Sequence, residues 1–338
     1  MINSSIPIID FKNISDTEGK KQIVKEIHDA CKNYGFFYII NHCVEESLME
    51  DLQRISKKFF LLPKDVKMKW KLGLVDKVQC GYYEVGSSQT YGIDYKEGVY
   101  IDLEREWHYK SPNYNGKKIY PTQEEEIEYD IVGYRNIIET YIKRVSDLSD
   151  IVLQLISQSL NLPLEYFNTK KTVDLTVVLS MLKYPSFAKL EYEDENTKKE
   201  DGNEKLGMGL HTDWGLITLL YQDEIGGLQV KAKDQFIDAT PIKGSFICNL
   251  GDFIEIATQG YYISNYHRVL YNTTPHDRYS YPFFVSPEQD TPMEIIKGYE
   301  TITENENKIQ DKEFYDFRGT YKEYFENQMN NTFKKYHK

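Results

Sequence analysis

Between residues 173 and 287 the chain breaks into seven short segments: "VDLTVVLSMLKYP", "GLHTDWGLITLLYQ", "GLQVKAK", "QFIDATP", "GSFICNLGDF", "SNYHRVLYN" and "RYSYPFFVSP". Each is rich in β-branched or aromatic residues, and Gly, Pro, Asn or Asp separates it from the next. Many short strands at close spacing predict a sandwich or a barrel. The first half has a different period. "TEGKKQIVKEIHDACKNYG" carries Ile23, Val24, Ile27, Ala30 and Cys31 at helical spacing and stops at Gly35, while "VEESLMEDLQRISKKFFLLP" is a second amphipathic helix ended by Pro63. "IPIIDF" and "FFYIINH" read as strands, and residues 73–120, rich in Gly, Tyr and Ser, read as loops with short strands. One long helix with a single apolar stripe is expected from about Gln123 to Leu160. A further helix is expected in "FYDFRGTYKEYFENQMNNTFKKYHK" at the end of the chain.

Neither half looks able to bury its own apolar face. The expected organisation is therefore one integrated domain: an N-terminal region over 1–120, a connecting helix within 121–170, a β core over 174–290 and a C-terminal segment over 291–338. "EYEDENTKKEDGNEK", residues 191–205, is polar and reads as a surface insertion.

Composition narrows the partners. Hydrophobic residues make up 40% of the 338 and aromatics 14%, which suits a folded chain. With 41 basic and 53 acidic residues the formal charge is -12, and no basic run interleaved with aromatics interrupts it. Nucleic acid and anionic membrane surfaces are poor partners for such a chain. No secretory leader and no run of 18 apolar residues is visible, so a cytoplasmic protein is expected. Cys31, Cys43, Cys80 and Cys248 are scattered without a C-x-x-C pair and read as reduced thiols.

Against this background "GLHTDWGLITLLYQ" stands out, because His211 and Asp213 interrupt an apolar β-type segment. On a strand, residues i and i+2 share a face, so imidazole and carboxylate converge. His267, 54 positions beyond Asp213 in another alternating segment, is the third candidate. Two imidazoles and one carboxylate on one side of a metal leave positions open, as in non-haem iron(II) centres. Zinc accepts the same ligands, so a metallohydrolase stays open on these residues alone. Arg278 and Ser280, again i and i+2, would present a guanidinium fork and a hydroxyl to a planar carboxylate. Tyr184 could add a phenol.

These stretches resemble the core of the 2-oxoglutarate and iron(II)-dependent dioxygenases of the isopenicillin N synthase-like superfamily. The likeness extends through "ACKNYGFFYIINH", "FFLLP", "GYY", "DYKEG", "LNLPLEYF" and "TYKEYF", in order along nearly the whole chain. It implies a mainly β fold with flanking helices and a double-stranded β-helix, or jelly-roll, core. It also implies that His211, Asp213 and His267 are iron(II) ligands and that Arg278, Ser280 and Tyr184 hold the distal carboxylate of 2-oxoglutarate. Phe284 would stand against the substrate. The implied reaction uses O2 and 2-oxoglutarate to hydroxylate, desaturate or cyclise a small organic molecule. One departure is Leu182, where plant members frequently carry Asn three residues before the matched proline. Two other readings share the residues: an oxidase of the isopenicillin N synthase or 1-aminocyclopropane-1-carboxylate oxidase type, which does not consume 2-oxoglutarate, and a non-catalytic small-molecule-binding protein on the same fold.

Overall fold

Strand β1 (Ile8–Asp10) lies parallel to β2 (Phe36–Ile40), with helix α1 (Thr17–Asn33) between them in sequence. In this computed structural model, which describes residues 5–75, 78–87, 94–101, 120–169, 177–186, 205–232, 235–300 and 315–334, that unit forms one edge of the larger sheet. Asp16 caps α1 by accepting from the Gly19 amide at 2.7 Å. The helix buries Ile23, Ile27, Ala30 and Cys31, the stripe expected from their spacing. It ends at Gly35, whose φ of 65° is left-handed and whose missing Cβ would fall 2.2 Å from the Ile263 carbonyl oxygen. Helix α2 (Glu46–Leu61) stops just ahead of Pro63, and the single turn α3 (Lys64–Lys67) follows. The region read as loops with short strands contains β3 (Gly73–Val75), β4 (Val78–Tyr83) and β5 (Glu97–Ile101); residues 88–93 and 102–119 lie outside the described ones.

The long helix expected over 123–160 is two helices, α4 (Gln123–Glu128) and α5 (Tyr134–Ser159). Asp130 (φ 53°) and Gly133 (φ 86°) take left-handed conformations that no α-helix accommodates. The break is satisfied locally. The Glu126 carboxylate accepts from the Gly133 amide at 2.8 Å and from the Arg135 amide at 3.0 Å, covering donors at the start of α5 that have no intrahelical partner. Glu126→Ala is expected to destabilise the protein by about 1–2 kcal/mol, lowering Tm by a few degrees in a thermal melt.

The core strands are β6 (Val177–Tyr184), β7 (Leu206–His211), β8 (Ile217–Gln222), β9 (Leu228–Ala232), β10 (Gln235–Asp238), β11 (Phe246–Leu250), β12 (His267–Leu270) and β13 (Arg278–Val285). Among the described residues they join a nine-stranded sheet, ordered β1-β2-β11-β8-β13-β6-β5-β4-β3, and a four-stranded sheet, ordered β10-β9-β12-β7. Alternation assigns each strand two jobs. Tyr279, Tyr281, Phe283 and Val285 of β13, with Ile217, Leu219 and Tyr221 of β8, pack into the large apolar core shared with α1, α2 and α5. The opposite face meets the small sheet: Phe36, Leu182, Tyr184 and Ile247 from one sheet contact a cluster completed by Leu228, Val230 and Val269 from the other. Two facing sheets, antiparallel apart from the β1–β2 pair, with helices outside them form the jelly roll.

"GLHTDWGLITLLYQ" is not one strand. β7 ends at His211 in the small sheet, residues 212–216 cross between sheets, and β8 begins at Ile217 in the large one. Likewise "GDFIEIA" leaves strand β11 and turns into the short helix α6 (Asp252–Ala257). The C-terminal helix α7 (Tyr321–Lys334) buries Tyr321 and Tyr324 in the large core. Residues 191–204 of the polar insertion lie outside the described residues, and among the described ones no helix is long and apolar enough to cross a membrane.

Candidate metal and co-substrate site

Pairing of β12 with β7 sets His267 directly opposite His211. Their rings lie 4.1 Å apart, centroid to centroid. Asp213 reaches the same point from outside the strand, two residues past the end of β7, so the convergence comes from the 212–216 crossing and not from strand periodicity. The turn is pinned: the Asp252 amide donates to the Asp213 carbonyl at 2.8 Å, and Thr212 Oγ1 donates to Asp252 Oδ2 at 3.1 Å. Asp213 Oδ1 then lies 3.9 Å from Nε2 of both histidines. Among the described residues these three side chains form a group whose ligand atoms all fall within 4.8 Å of one another.

The tautomers follow from the partners. His211 Nδ1 lies 2.8 Å from the Gly209 carbonyl and His267 Nδ1 lies 3.2 Å from the Asn265 carbonyl. A carbonyl only accepts, so each Nδ1 carries the proton and each Nε2 lone pair faces the shared point. Burial, with the neighbouring His267, holds the His211 imidazole down to about 3, keeping it the free base that a metal requires. Burial pushes the Asp213 carboxyl up, but the two imidazoles and hydrogen bonds from Thr218 and Asn249 outweigh it and leave the group below its ordinary range. Those two bonds fall on Oδ2, from Thr218 Oγ1 at 2.5 Å and Asn249 Nδ2 at 2.7 Å. One carboxylate oxygen is held and the other is presented.

Thr218 and Asn249 were not among the residues singled out in the sequence. The available signal was a polar residue at an inward position of a strand otherwise buried on both faces, as Asn249 is in "FICNL". Asn249→Ala is expected to weaken iron(II) binding about 10–100-fold, the usual effect of losing an outer partner of a ligand. Anaerobic metal titration reads this directly.

Arg278 and Ser280 begin β13 on its inner face, and Arg278 pairs across the ladder with Tyr184. Arg278 is 2% exposed, and its guanidinium sits over the Tyr184 ring, 4.7 Å from the centroid. It donates to Gln222 Oε1 at 3.0 Å and, weakly, to Ser280 Oγ at 3.4 Å, while among the described residues Nε has no hydrogen-bond partner. Among the described residues no carboxylate forms an ion pair with it. The nearby Asp223 is occupied by the amides of Tyr279 (2.6 Å) and Ile225 (3.1 Å). A buried cation with an idle donor is a receptor for an anion. Phe284 lies at the other end of the same strand face, in register with Thr218 of β8, and is half-buried.

The donor set therefore suits iron(II), and the buried fork suits a dicarboxylate. Comparison with known proteins agrees. Residues 6–123 match the family model for the N-terminal part of non-haem dioxygenases described from morphine synthesis, and residues 179–287 match that of the 2OG-Fe(II) oxygenase superfamily. The chain is 43% identical to a 1-aminocyclopropane-1-carboxylate oxidase of Dictyostelium mucoroides, over 98% of this chain and 96% of the relative. It is 30% identical to a homoarginine-6-hydroxylase of Arabidopsis thaliana, over 87% and 89% of the two chains. Among solved structures, a full-length Neurospora crassa protein crystallised in complex with alpha-KG and thymine superposes with a TM-score of 0.76 at 25% identity, covering 98% of this chain and 97% of that one.

Proposed function

Because the chain belongs to the 2-oxoglutarate and iron(II)-dependent oxygenases of the isopenicillin N synthase-like superfamily, we propose that His211, Asp213 and His267 hold its iron(II) and that Arg278, Ser280 and Tyr184 hold the far carboxylate of its 2-oxoglutarate. The protein is an oxygenase that acts on a small organic substrate with O2 and 2-oxoglutarate. The observation that carries the residue assignment is the meeting of two features in one interior: three candidate ligand atoms converging on one point, and a buried Arg278 whose Nε has no partner among the described residues.

When bound, iron(II) with 2-oxoglutarate supplies the oxidising chemistry, in which O2 is reduced, the oxo acid becomes succinate and CO2, and a substrate carbon is oxidised. The chain supplies geometry and dryness. Three ligands from one side leave the opposite side for the co-substrate. Arg278 fixes the far end of 2-oxoglutarate by charge-assisted hydrogen bonds, and Tyr184 backs the guanidinium. Phe36, whose ring meets His267 edge-on at 5.2 Å, and the apolar residues between the sheets exclude water. Phe284 stands in register with Thr218, the residue that steadies Asp213, and so presents the substrate beside the metal. Leu182, one row from Tyr184 on the inner face, makes that wall apolar where an amide is frequent in plant members.

The substrate is proposed to be a small molecule, not a nucleic acid, given the acidic chain. The free cysteines, exposed Cys43 and buried Cys31, Cys80 and Cys248, favour a reducing compartment, the cytoplasm. The test is succinate release from 2-oxoglutarate by the iron-loaded protein against a panel that includes 1-aminocyclopropane-1-carboxylate, homoarginine and thymine. Substrate-dependent succinate is expected. Oxidation of a panel member at full rate with no 2-oxoglutarate added would contradict the reading.

A further inference from the structure

β7 carries His211 but is, among the described residues, the outermost strand of its sheet, with β12 as its ladder neighbour on one side. An edge strand is a loose support for a ligand that must be placed accurately. Its other edge is met by the residues just ahead of β5. Asp94 bridges to Leu206 in parallel register, the Tyr95 amide donates to the Leu206 carbonyl at 3.2 Å, and the Gly209 amide donates to Asp94 Oδ1 at 3.1 Å. Asp94 Oδ2 takes the Lys96 ammonium at 3.1 Å, with the side chains 2% and 1% exposed.

Gly209 is therefore held at both of its backbone polar groups. Its N–H is fixed by the Asp94 carboxylate, and its carbonyl accepts the Nδ1 proton of His211 at 2.8 Å. Burial pushes the Lys96 ammonium down, but the Asp94 carboxylate and the side chains of Tyr184 and Tyr100 outweigh it and hold the group above its ordinary value. Glu97, next to Lys96 in the chain, pairs with Lys183, and Tyr184, next to Lys183, pairs with Arg278.

Resting on the iron and 2-oxoglutarate reading above, we propose that the buried Asp94–Lys96 pair is a positioning element that locks the edge strand of His211 to the strand row holding the co-substrate. Neither residue touches a reacting atom. A buried ion pair is a weak net stabiliser, because desolvation offsets most of its attraction. What this pair supplies is a fixed acceptor for one amide and, through that residue, a fixed azimuth for one metal-facing imidazole.

The full-length protein tests this by anaerobic iron(II) titration, with hydrogen exchange at the Gly209 amide as a second readout. Asp94→Ala is expected to weaken iron(II) binding about 10–100-fold and to accelerate exchange at Gly209. The double variant Asp94→Asn/Lys96→Met keeps an acceptor and removes both charges, so binding returns to within about threefold of wild type. Glu97→Gln is the control. It disrupts the neighbouring buried Lys67–Glu97–Lys183 network, so it lowers Tm but leaves iron affinity unchanged. Should Asp94→Ala not fold, the double variant Asp94→Leu/Lys96→Met, which removes the acceptor without leaving a buried charge unpaired, takes its place with the same expectation. Wild-type affinity in the single variant, or an equal loss in Glu97→Gln, would overturn the proposal. Failure of the wild-type protein to bind iron(II) counts against the site as read; failure of the variants to differ from a binding wild type counts against the pair alone.

Discussion

Asp213→Ala protein is expected to retain no iron(II) after desalting and to release no succinate above background. The carboxylate is the sole anion of the three-residue group, and its Oδ1 is equidistant, at 3.9 Å, from the two imidazole Nε2 atoms it must bridge through a cation. Two imidazoles remain in the variant, and without the carboxylate they present no negative charge to offset desolvation of a divalent ion. The loss therefore exceeds the roughly 10–100-fold that follows removal of an outer partner such as Asn249. Fold is not the reason: Thr218 and Asn249 lose an acceptor, but the crossing is still held by the Asp252 amide on the residue 213 carbonyl. A melting curve of the variant beside that of metal-free wild type, with similar midpoints, separates lost binding from lost structure.

Arg278→Ala produces the opposite pattern. Iron(II) affinity is expected to stay within about twofold, because the hydrogen bonds of the guanidinium go to Gln222 and Ser280 and not to His211, Asp213 or His267, whereas the KM for 2-oxoglutarate rises about 10- to 100-fold, corresponding to about 1.5–3 kcal/mol for a hydrogen bond to a charged group. Arg278→Lys recovers the charge but not the fork, so it falls between the two. If Arg278→Ala loses iron as Asp213→Ala does, the far-carboxylate assignment fails.

The parts of this arrangement differ in how far the amino-acid order reveals them. The two-faced character of β13 is plain in "RYSYPFFV", where Tyr279, Tyr281, Phe283 and Val285 alternate with Arg278, Ser280, Pro282 and Phe284. Ends of α1 and α2 are equally legible, since Gly35 and Pro63 stop them for steric reasons. The closing of the strands into two facing sheets comes from the resemblance, because alternation says which face is buried but not which strand is the neighbour.

Two expectations misread continuity. The apolar stripe runs from Ile131 through Ile138 and hides the break at Asp130 and Gly133, which depends on left-handed backbone and on capping by Glu126. The hydrophobic residues on both sides of Asp213 similarly conceal the sheet change, so His211 and Asp213 meet through a crossing and not along a strand. Thr218, Asn249, Asp94 and Lys96 went unmarked for a further reason. Their significance lies in partners 5, 36, 115 and 2 positions away, respectively, and only the folded chain brings the long pairs together.

The most direct measurement is an anaerobic crystal structure of the protein with iron(II) and 2-oxoglutarate. The metal is expected within bonding distance of His211 Nε2, His267 Nε2 and one Asp213 oxygen, chelated on its open side by the oxo acid, whose far carboxylate meets Arg278 and Ser280. Metal density at another place, or 2-oxoglutarate seated away from Arg278, would contradict the account.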